Sequence, residues 1–168
     1  MEIRPIRPEE SEELGRVTVR AYRELFGGRS LGSYEKELLD VETRRLDSEV
    51  YVALDENETL MGGVTYVPDQ KRSMSEFDDP VGAGIRMLAV DPRFQGRGVG
   101  RALIDACVDR ARDQGRHRIF LHSTPAMVVA RAMYERAGFE RAPDLDEIVN
   151  EEPGGGDPLH LIAYTLTL

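Results

Sequence analysis

Two spacings of apolar residues alternate along this chain and divide it into elements. Glu2-Ile3-Arg4-Pro5-Ile6-Arg7 alternates briefly and carries a proline, which predicts an edge strand. From Pro8 the spacing turns helical, with Leu14, Val17, Ala21 and Leu25 in phase, acidic residues in the first turn and Gly27-Gly28 at the end. A second helix is predicted over residues 33–46, where Leu38, Leu39 and Val41 are apolar and Ser33 can cap the start. Strands over residues 50–54 and 60–67 form a hairpin around Asp55-Glu56-Asn57-Glu58-Thr59. Residues 68–81 are polar and aperiodic, and a loop of that length is more often functional than filler.

The stretch GIRMLAVDPRFQGRGVGR, residues 84–101, organises the remainder. Met87-Leu88-Ala89-Val90 is apolar without alternation, as for a strand covered on both faces. Asp91-Pro92 stops it, because proline lacks the N–H that a central strand needs. Gly96, Gly98 and Gly100 then open a helix that runs to about Gly115. Glycines at such a turn let backbone N–H groups approach a ligand, with the positive end of the helix dipole behind them. The combination is an anion site suited to phosphate or pyrophosphate. A strand over residues 119–122 follows, and a strand-helix-strand unit of this length predicts a right-handed crossover between parallel strands. Pro125 is placed as the first residue of a helix to Arg136, with Thr124 its cap. Beyond Gly138 come a strand over residues 139–142, an acidic, glycine-rich connection over residues 144–158, and a final strand over residues 159–168.

A chain of 168 residues reads as a single domain over residues 1–168, long enough for a sizeable core. Its net charge of −9 argues against general binding to nucleic acid or to an anionic membrane face. Cys107 is the sole cysteine, which excludes an internal disulfide framework and fits a reducing compartment. Its helical spacing with Leu103, Ile104, Val108 and Ala111 marks it as a small buried hydrophobe. The N-terminus has no apolar signal-like core and no run approaches 18 apolar residues, so the cytoplasm is the expected location. Three scattered histidines and one cysteine offer no metal-ligand spacing, so no metal is expected.

The glycine spacing selects among phosphate binders. It is G-x-G-x-G rather than the dinucleotide fingerprint G-x-G-x-x-G, and no G-x-x-x-x-G-K-[ST] is present. A nucleotide-binding α/β domain is therefore disfavoured. The pattern Q-x-x-G-x-G at Gln95, Gly98 and Gly100, after a V-x-P turn, resembles the pyrophosphate motif of the GNAT superfamily of acyl-CoA-dependent N-acyltransferases. Ala130-Arg131-Ala132-Met133-Tyr134-Glu135-Arg136-Ala137-Gly138-Phe139 is similar to that superfamily's A-x-x-L-Y-E-K-x-G-F, with Met133 for the leucine. The two motifs stand in the family order, about 34 residues apart.

The resemblance implies an α/β fold with a mixed, mostly antiparallel sheet, a splayed parallel strand pair and about four helices. It implies acetyl-CoA as co-substrate, its pantetheine inserted between the strands at residues 87–90 and 119–122. The backbone of Leu88, Ala89 and Val90 would bond the pantetheine and polarise the thioester carbonyl. Gln95, Gly96, Arg97, Gly98, Val99, Gly100 and Arg101 would hold the pyrophosphate. Tyr134 is the implied catalytic residue, the proton donor to the departing thiolate. Met127 stands where many relatives have a pantetheine-binding asparagine, and packing is its expected role instead. Gly84 stands where some relatives carry a strand glutamate as base. Removing a proton from an alkyl amine of pKa near 10.4 costs roughly 4–5 kcal/mol at pH 7. A water chain, Glu76, Asp78, Asp79 and His122 are the candidate acceptors of that proton, and His122 is equally read as a core histidine. The partner implied is a small-molecule or peptide amine, with no nucleic acid and no membrane, and a homodimer as a further option. Acidic residues over 144–152, together with Glu76, Asp78 and Asp79, predict a cationic acceptor. The competing function is a catalytically silent acyl-CoA-binding or regulatory domain.

Overall fold

The computed structural model describes residues 1–149 and 158–168. Part of the acidic connection, Glu151 and Glu152 included, lies outside the described residues. Eight strands form one sheet: β1 (Glu2–Pro5), β2 (Glu49–Leu54), β3 (Leu60–Val67), β4 (Gly82–Val90), β5 (Arg118–Ser123), β6 (Glu140–Arg141), β7 (Glu147–Val149) and β8 (Leu159–Thr167). Their order is β1-β2-β3-β4-β5-β8-β6, with β7 also paired to β8. Every pairing is antiparallel except β4 with β5. The short strand β7 falls within the stretch that the sequence reads as connection only.

The described residues hold five α-helices: α1 (Ser11–Leu25), α2 (Tyr34–Leu39), α3 (Val41–Asp47), α4 (Val99–Asp113) and α5 (Val128–Arg136). The single helix expected over residues 33–46 is broken at Asp40, whose carboxylate accepts from the Thr43 N–H and so caps α3. Arg44, 3% exposed, holds the break by donating to the carbonyls of Glu37 and Leu38. Ser33 makes no side-chain cap, so its predicted role is corrected. The last helix likewise begins at Val128 rather than at Pro125. The chain makes a turn first, in which the Met127 N–H donates to the Thr124 carbonyl, and the Thr124 hydroxyl caps nothing.

Apolar clusters cover both faces of the sheet. Leu14 and Val17 of α1 and Val41 of α3 pack with Val50, Val52 and Leu60. On the opposite face, Val99, Leu103, Ile104 and Cys107 of α4 and Tyr134 of α5 pack with Ile85, Ile119 and Leu121. Cys107 is fully buried, and burial pushes its thiol pKa up, so it stays a neutral core side chain.

The alternation along β4 changes phase partway. Ala83 and Ile85 face the α4 cluster, and so do Leu88 and Val90, with a residue to spare between them. Met87 supplies the extra residue with a positive φ of 50°, and the β3 register slips from Thr65↔Arg86 to Gly63↔Ala89. This is a β-bulge, which bends a strand and re-aims its neighbours. Past it the parallel pairing ends. The ladder between β4 and β5 runs from Gly82↔Arg118 to Ile85↔Leu121, while β4 continues to Val90 and β5 pairs with β8 up to Ser123↔Ile162.

Candidate active site

The parting of β4 and β5 leaves a run of β4 backbone, residues 86–90, with no strand on its β5 side. Leu88 and Val90 turn their side chains into the α4 cluster and Ala89 is buried, so an extended ligand would meet their backbone. The end of β4 is tied down by Asp91. Its carboxylate is fully buried, accepts from Arg93 at 2.9 and 3.0 Å and from Arg20 at 2.7 Å, and takes the Arg93 backbone N–H as well. The Arg93 hydrogen bonds hold its pKa down, at about 2.

The turn that follows has the conformation its glycines allow. Gly96 and Gly98 have φ of 75° and 79°, in the left-handed region, and a side chain at either would meet open space. Gly100 serves a different end: a Cβ there would meet the Met133 sulfur of α5 at 3.2 Å, so its smallness lets α5 pack close. Gly98 is the N-cap of α4, and only the Ala102 N–H is spent on its carbonyl. Among the described residues the N–H groups of Val99, Gly100 and Arg101 meet no acceptor, as at any free helix start. Gln95 through Gly98 are exposed, whereas the Val99 side chain is core and can offer only its N–H. The Arg97 guanidinium lies 5.4 Å from the Phe94 ring centroid. The Arg101 guanidinium is engaged by Asp105 at 2.8 Å, which leaves its backbone as the available part.

Tyr134 is 5% exposed and shares its cluster with Val99 at the start of α4 and with Ile85 and Leu121, the last pair before the strands part. Its ring tilts against Phe139 and Tyr164, with centroids 6.0 and 6.2 Å away. Burial pushes its phenol pKa well up, so it remains protonated at neutral pH. Among the described residues no hydrogen bond engages its hydroxyl.

Across the sheet a cavity of about 440 Å³ opens between α1, α2, the ends of β4 and β5, and β7–β8. Glu76 and His122 reach it, and Asp78 and Asp79 do not. Asp79 is instead turned to the Val81 N–H. Glu76 accepts from Arg86 at 2.8 Å and faces His122 Nδ1 at 3.1 Å, while Nε2 faces the Leu145 carbonyl at 3.1 Å. Burial would lower the His122 pKa, but the bonds to Glu76 and Leu145 outweigh it and raise the pKa above 6.5. Burial would raise the Glu76 pKa, and His122 and Arg86 together lower it. With both ring nitrogens on oxygen acceptors, His122 carries two N–H donors. Gly84 leaves no room for a strand carboxylate: a Cβ there would meet the Phe77 ring at 2.7 Å, and Phe77 is stacked on Phe120 at 5.1 Å.

Sequence reasoning missed much of the cavity wall. Tyr22, Phe26, Leu31 and Tyr34 line it and were not singled out from the sequence, although the aromatic residues around the end of α1 were a signal that could have found them. Ser123 and Thr124 line the cavity with buried hydroxyls that lack any hydrogen-bond partner among the described residues. Met127 lines it too. An unpaired buried hydroxyl costs about 1–3 kcal/mol, so such groups mark places where a ligand completes the bonding. Among the described residues no group of three metal-ligating side chains is assembled, and no helix is long and apolar enough to cross a membrane.

Known proteins share this fold. The chain is 42% identical over 89 residues to the mycothiol acetyltransferase of Propionibacterium freudenreichii, covering 52% of this chain and 26% of that protein. It is 38% identical over 55 residues to the [ribosomal protein bS18]-alanine N-acetyltransferase of Salmonella typhimurium, covering 33% of this chain and 37% of that one. These matches thus span well under half of either relative. The solved ribosomal-protein-alanine N-acetyltransferase of Brucella melitensis superposes with a TM-score of 0.76 over 100% of both chains at 20% identity. The Salmonella typhimurium protein yncA, solved with its cofactor acetyl-CoA, gives 0.72 over 100% of this chain and 94% of that one at 21% identity. Residues 17–139 match the Acetyltransferase (GNAT) family, and that stretch holds the open β4 edge, the glycine turn and Tyr134. The chain belongs to the acetyltransferase (GNAT) family.

Proposed function

We propose that this protein transfers an acetyl group from acetyl-CoA to a primary amine. The observation that carries the reading is the parting of β4 from β5 directly before a helix start with three unspent N–H groups. Acetyl-CoA supplies an activated thioester and an anionic handle, and the residues present fit both. The N–H groups of Val99, Gly100 and Arg101 donate to the pyrophosphate oxygens, with open space over Gly96 and Gly98. The β4 backbone at Leu88, Ala89 and Val90 lines the pantetheine arm and donates to the carbonyl oxygen as charge grows there. Tyr134, held protonated by burial, gives its proton to the sulfur as the C–S bond breaks and the N–C bond forms.

The nitrogen gives up a proton in the same exchange. Glu76 and His122 are the named candidates that reach the cavity, and His122 takes up this proton in its neutral form, with Glu76 orienting the ring. Because the pairing favours the charged ring and raises its pKa, turnover through the neutral form climbs as pH rises through that pKa. The acceptor is a small molecule or the amine of a peptide.

The Phe77 ring in the place of a strand glutamate favours one second reading, a domain that binds acyl-CoA without turnover. Thiol release measured over a broad amine panel, beside a calorimetric titration with acetyl-CoA, separates the two. Binding with amine-dependent thiol release is the expected result. Binding with no release on any amine establishes the second reading.

A further inference from the structure

The cavity wall narrows the acceptor, on the footing of the acetyl-transfer reading above. Most of its described lining is apolar: Tyr22 of α1 and Phe26 just past it, Leu31 and Tyr34 beyond, and Met87, Leu159 and Leu161 opposite. Four charged side chains reach it, Glu37, Glu76, Arg86 and His122. Arg86 and His122 both close on Glu76, so its charge is compensated within the protein. Glu37 is exposed, and among the described residues its carboxylate has no partner. Among the described residues, the one unpaired carboxylate at the cavity is that of exposed Glu37, and the buried part of the described wall offers none to a second or third ammonium. A polyamine or an aminoglycoside would leave water for apolar wall, and its extra charges would go unpaired. Of the acidic-loop residues, Asp78 and Asp79 stand away from the cavity and Asp146 is engaged by Arg141 at 2.8 and 2.9 Å, while Glu151 and Glu152 lie outside the described residues.

The polar feature without a partner is a pair of hydroxyls. Ser123 and Thr124 are 1% and 4% exposed, both line the cavity, and among the described residues neither Oγ nor Oγ1 has a hydrogen-bond partner. They stand at the end of β5, where the strands have parted. Two hydroxyl oxygens there can accept the N–H groups of a neutral amine and hold its lone pair toward the thioester. The volume of about 440 Å³ is that of a pocket for a ring with a short chain.

We infer that the acceptor is a primary amine on an apolar, ring-sized body, its nitrogen placed by the Ser123 and Thr124 hydroxyls and its body against Tyr22, Phe26, Leu31 and Tyr34. The test compares 2-phenylethylamine with spermidine and kanamycin as acceptors, and repeats the series on Ser123→Ala/Thr124→Val. The expected preference in kcat/KM for phenylethylamine is about tenfold or more, the scale on which pockets sort apolar groups. The double variant is expected to raise the KM for phenylethylamine about three- to tenfold, as for lost hydrogen bonds, and to leave the acetyl-CoA Kd unchanged. Ser123→Thr/Thr124→Ser, which keeps both hydroxyls, should restore the KM. A preference for spermidine or kanamycin overturns the inference, and so does a double variant that alters acetyl-CoA binding alone. If no amine turns over, the acetyl-transfer reading fails by itself. Calorimetry of phenylethylamine against spermidine on the acetyl-CoA-loaded protein then decides the cavity's preference, tighter phenylethylamine supporting the inference and tighter spermidine overturning it.

Discussion

At the scale of single residues, Tyr134 combines burial, protonation and an unengaged hydroxyl. Tyr134→Phe keeps the ring contacts with Phe139 and Tyr164 and removes only the hydroxyl. A fall in kcat of about one to three orders of magnitude is expected, as for a lost general acid, with acetyl-CoA affinity little changed. An unaltered kcat under conditions where chemistry limits the rate would leave Tyr134 a packing residue. His122 gives a second prediction, with a defined sign. Its pKa is raised on folding, so its contribution to stability is complete below its ordinary value of 6.5 and is lost as pH rises through the raised one. The gap in Tm between the wild type and His122→Gln should be wider at about pH 5.5 than at about pH 9. A gap that widens with pH would contradict the charged pairing with Glu76. Tyr134 could be singled out as a candidate because it sits in a motif, and its role rests on the proposal above. The pairing of Glu76 with His122 was not legible, because 46 residues separate them and only the β4–β5 register brings loop and strand together.

At the scale of elements, the strand, glycine turn and α4 were legible because local chemistry dictates them: proline stops the strand and glycine allows the left-handed turn. The three glycines look alike in sequence but act differently. Gly98→Ala should weaken acetyl-CoA binding through a strained turn, by about 1–2 kcal/mol for the left-handed conformation. Gly100→Val should lower Tm as well, by pushing on Met133. The outcome against this assignment is a Gly98 variant with wild-type affinity. The β4 bulge was not legible, since nothing in Met87 calls for a positive φ. Its position is set by the need to keep both Ile85 and Leu88 in the α4 core. The break at Asp40 was missed for a similar reason: the spacing of Leu38 and Val41 continues a helix, while the cap on Thr43 and the Arg44 bonds to Glu37 and Leu38 end one.

At the scale of the whole molecule, the net charge of −9 invites an argument from long-range attraction of cationic amines. Among the described residues the structure narrows that effect, because Glu76 is paired with Arg86 and His122 and Asp146 with Arg141. Glu37 is the described cavity carboxylate left to act on an incoming ammonium. Glu37→Gln should raise the amine KM modestly at low salt and by less at physiological ionic strength, where screening acts over about 8 Å. A rise in KM that is independent of salt would point to direct contact instead of steering. The order of strands places the β4–β5 parting at the middle of the sheet, between α4 on one face and the cavity on the other. Donor and acceptor thus approach the same gap from opposite sides, and their meeting there is the centre of the account. Amide resonances of the labelled protein, followed as acetyl-CoA is added, test it residue by residue. The account predicts the largest shifts at Leu88, Val90, Val99, Gly100 and Arg101, with β1 and β2 unmoved. Saturable binding whose shifts lie elsewhere, or no binding at all, would contradict it.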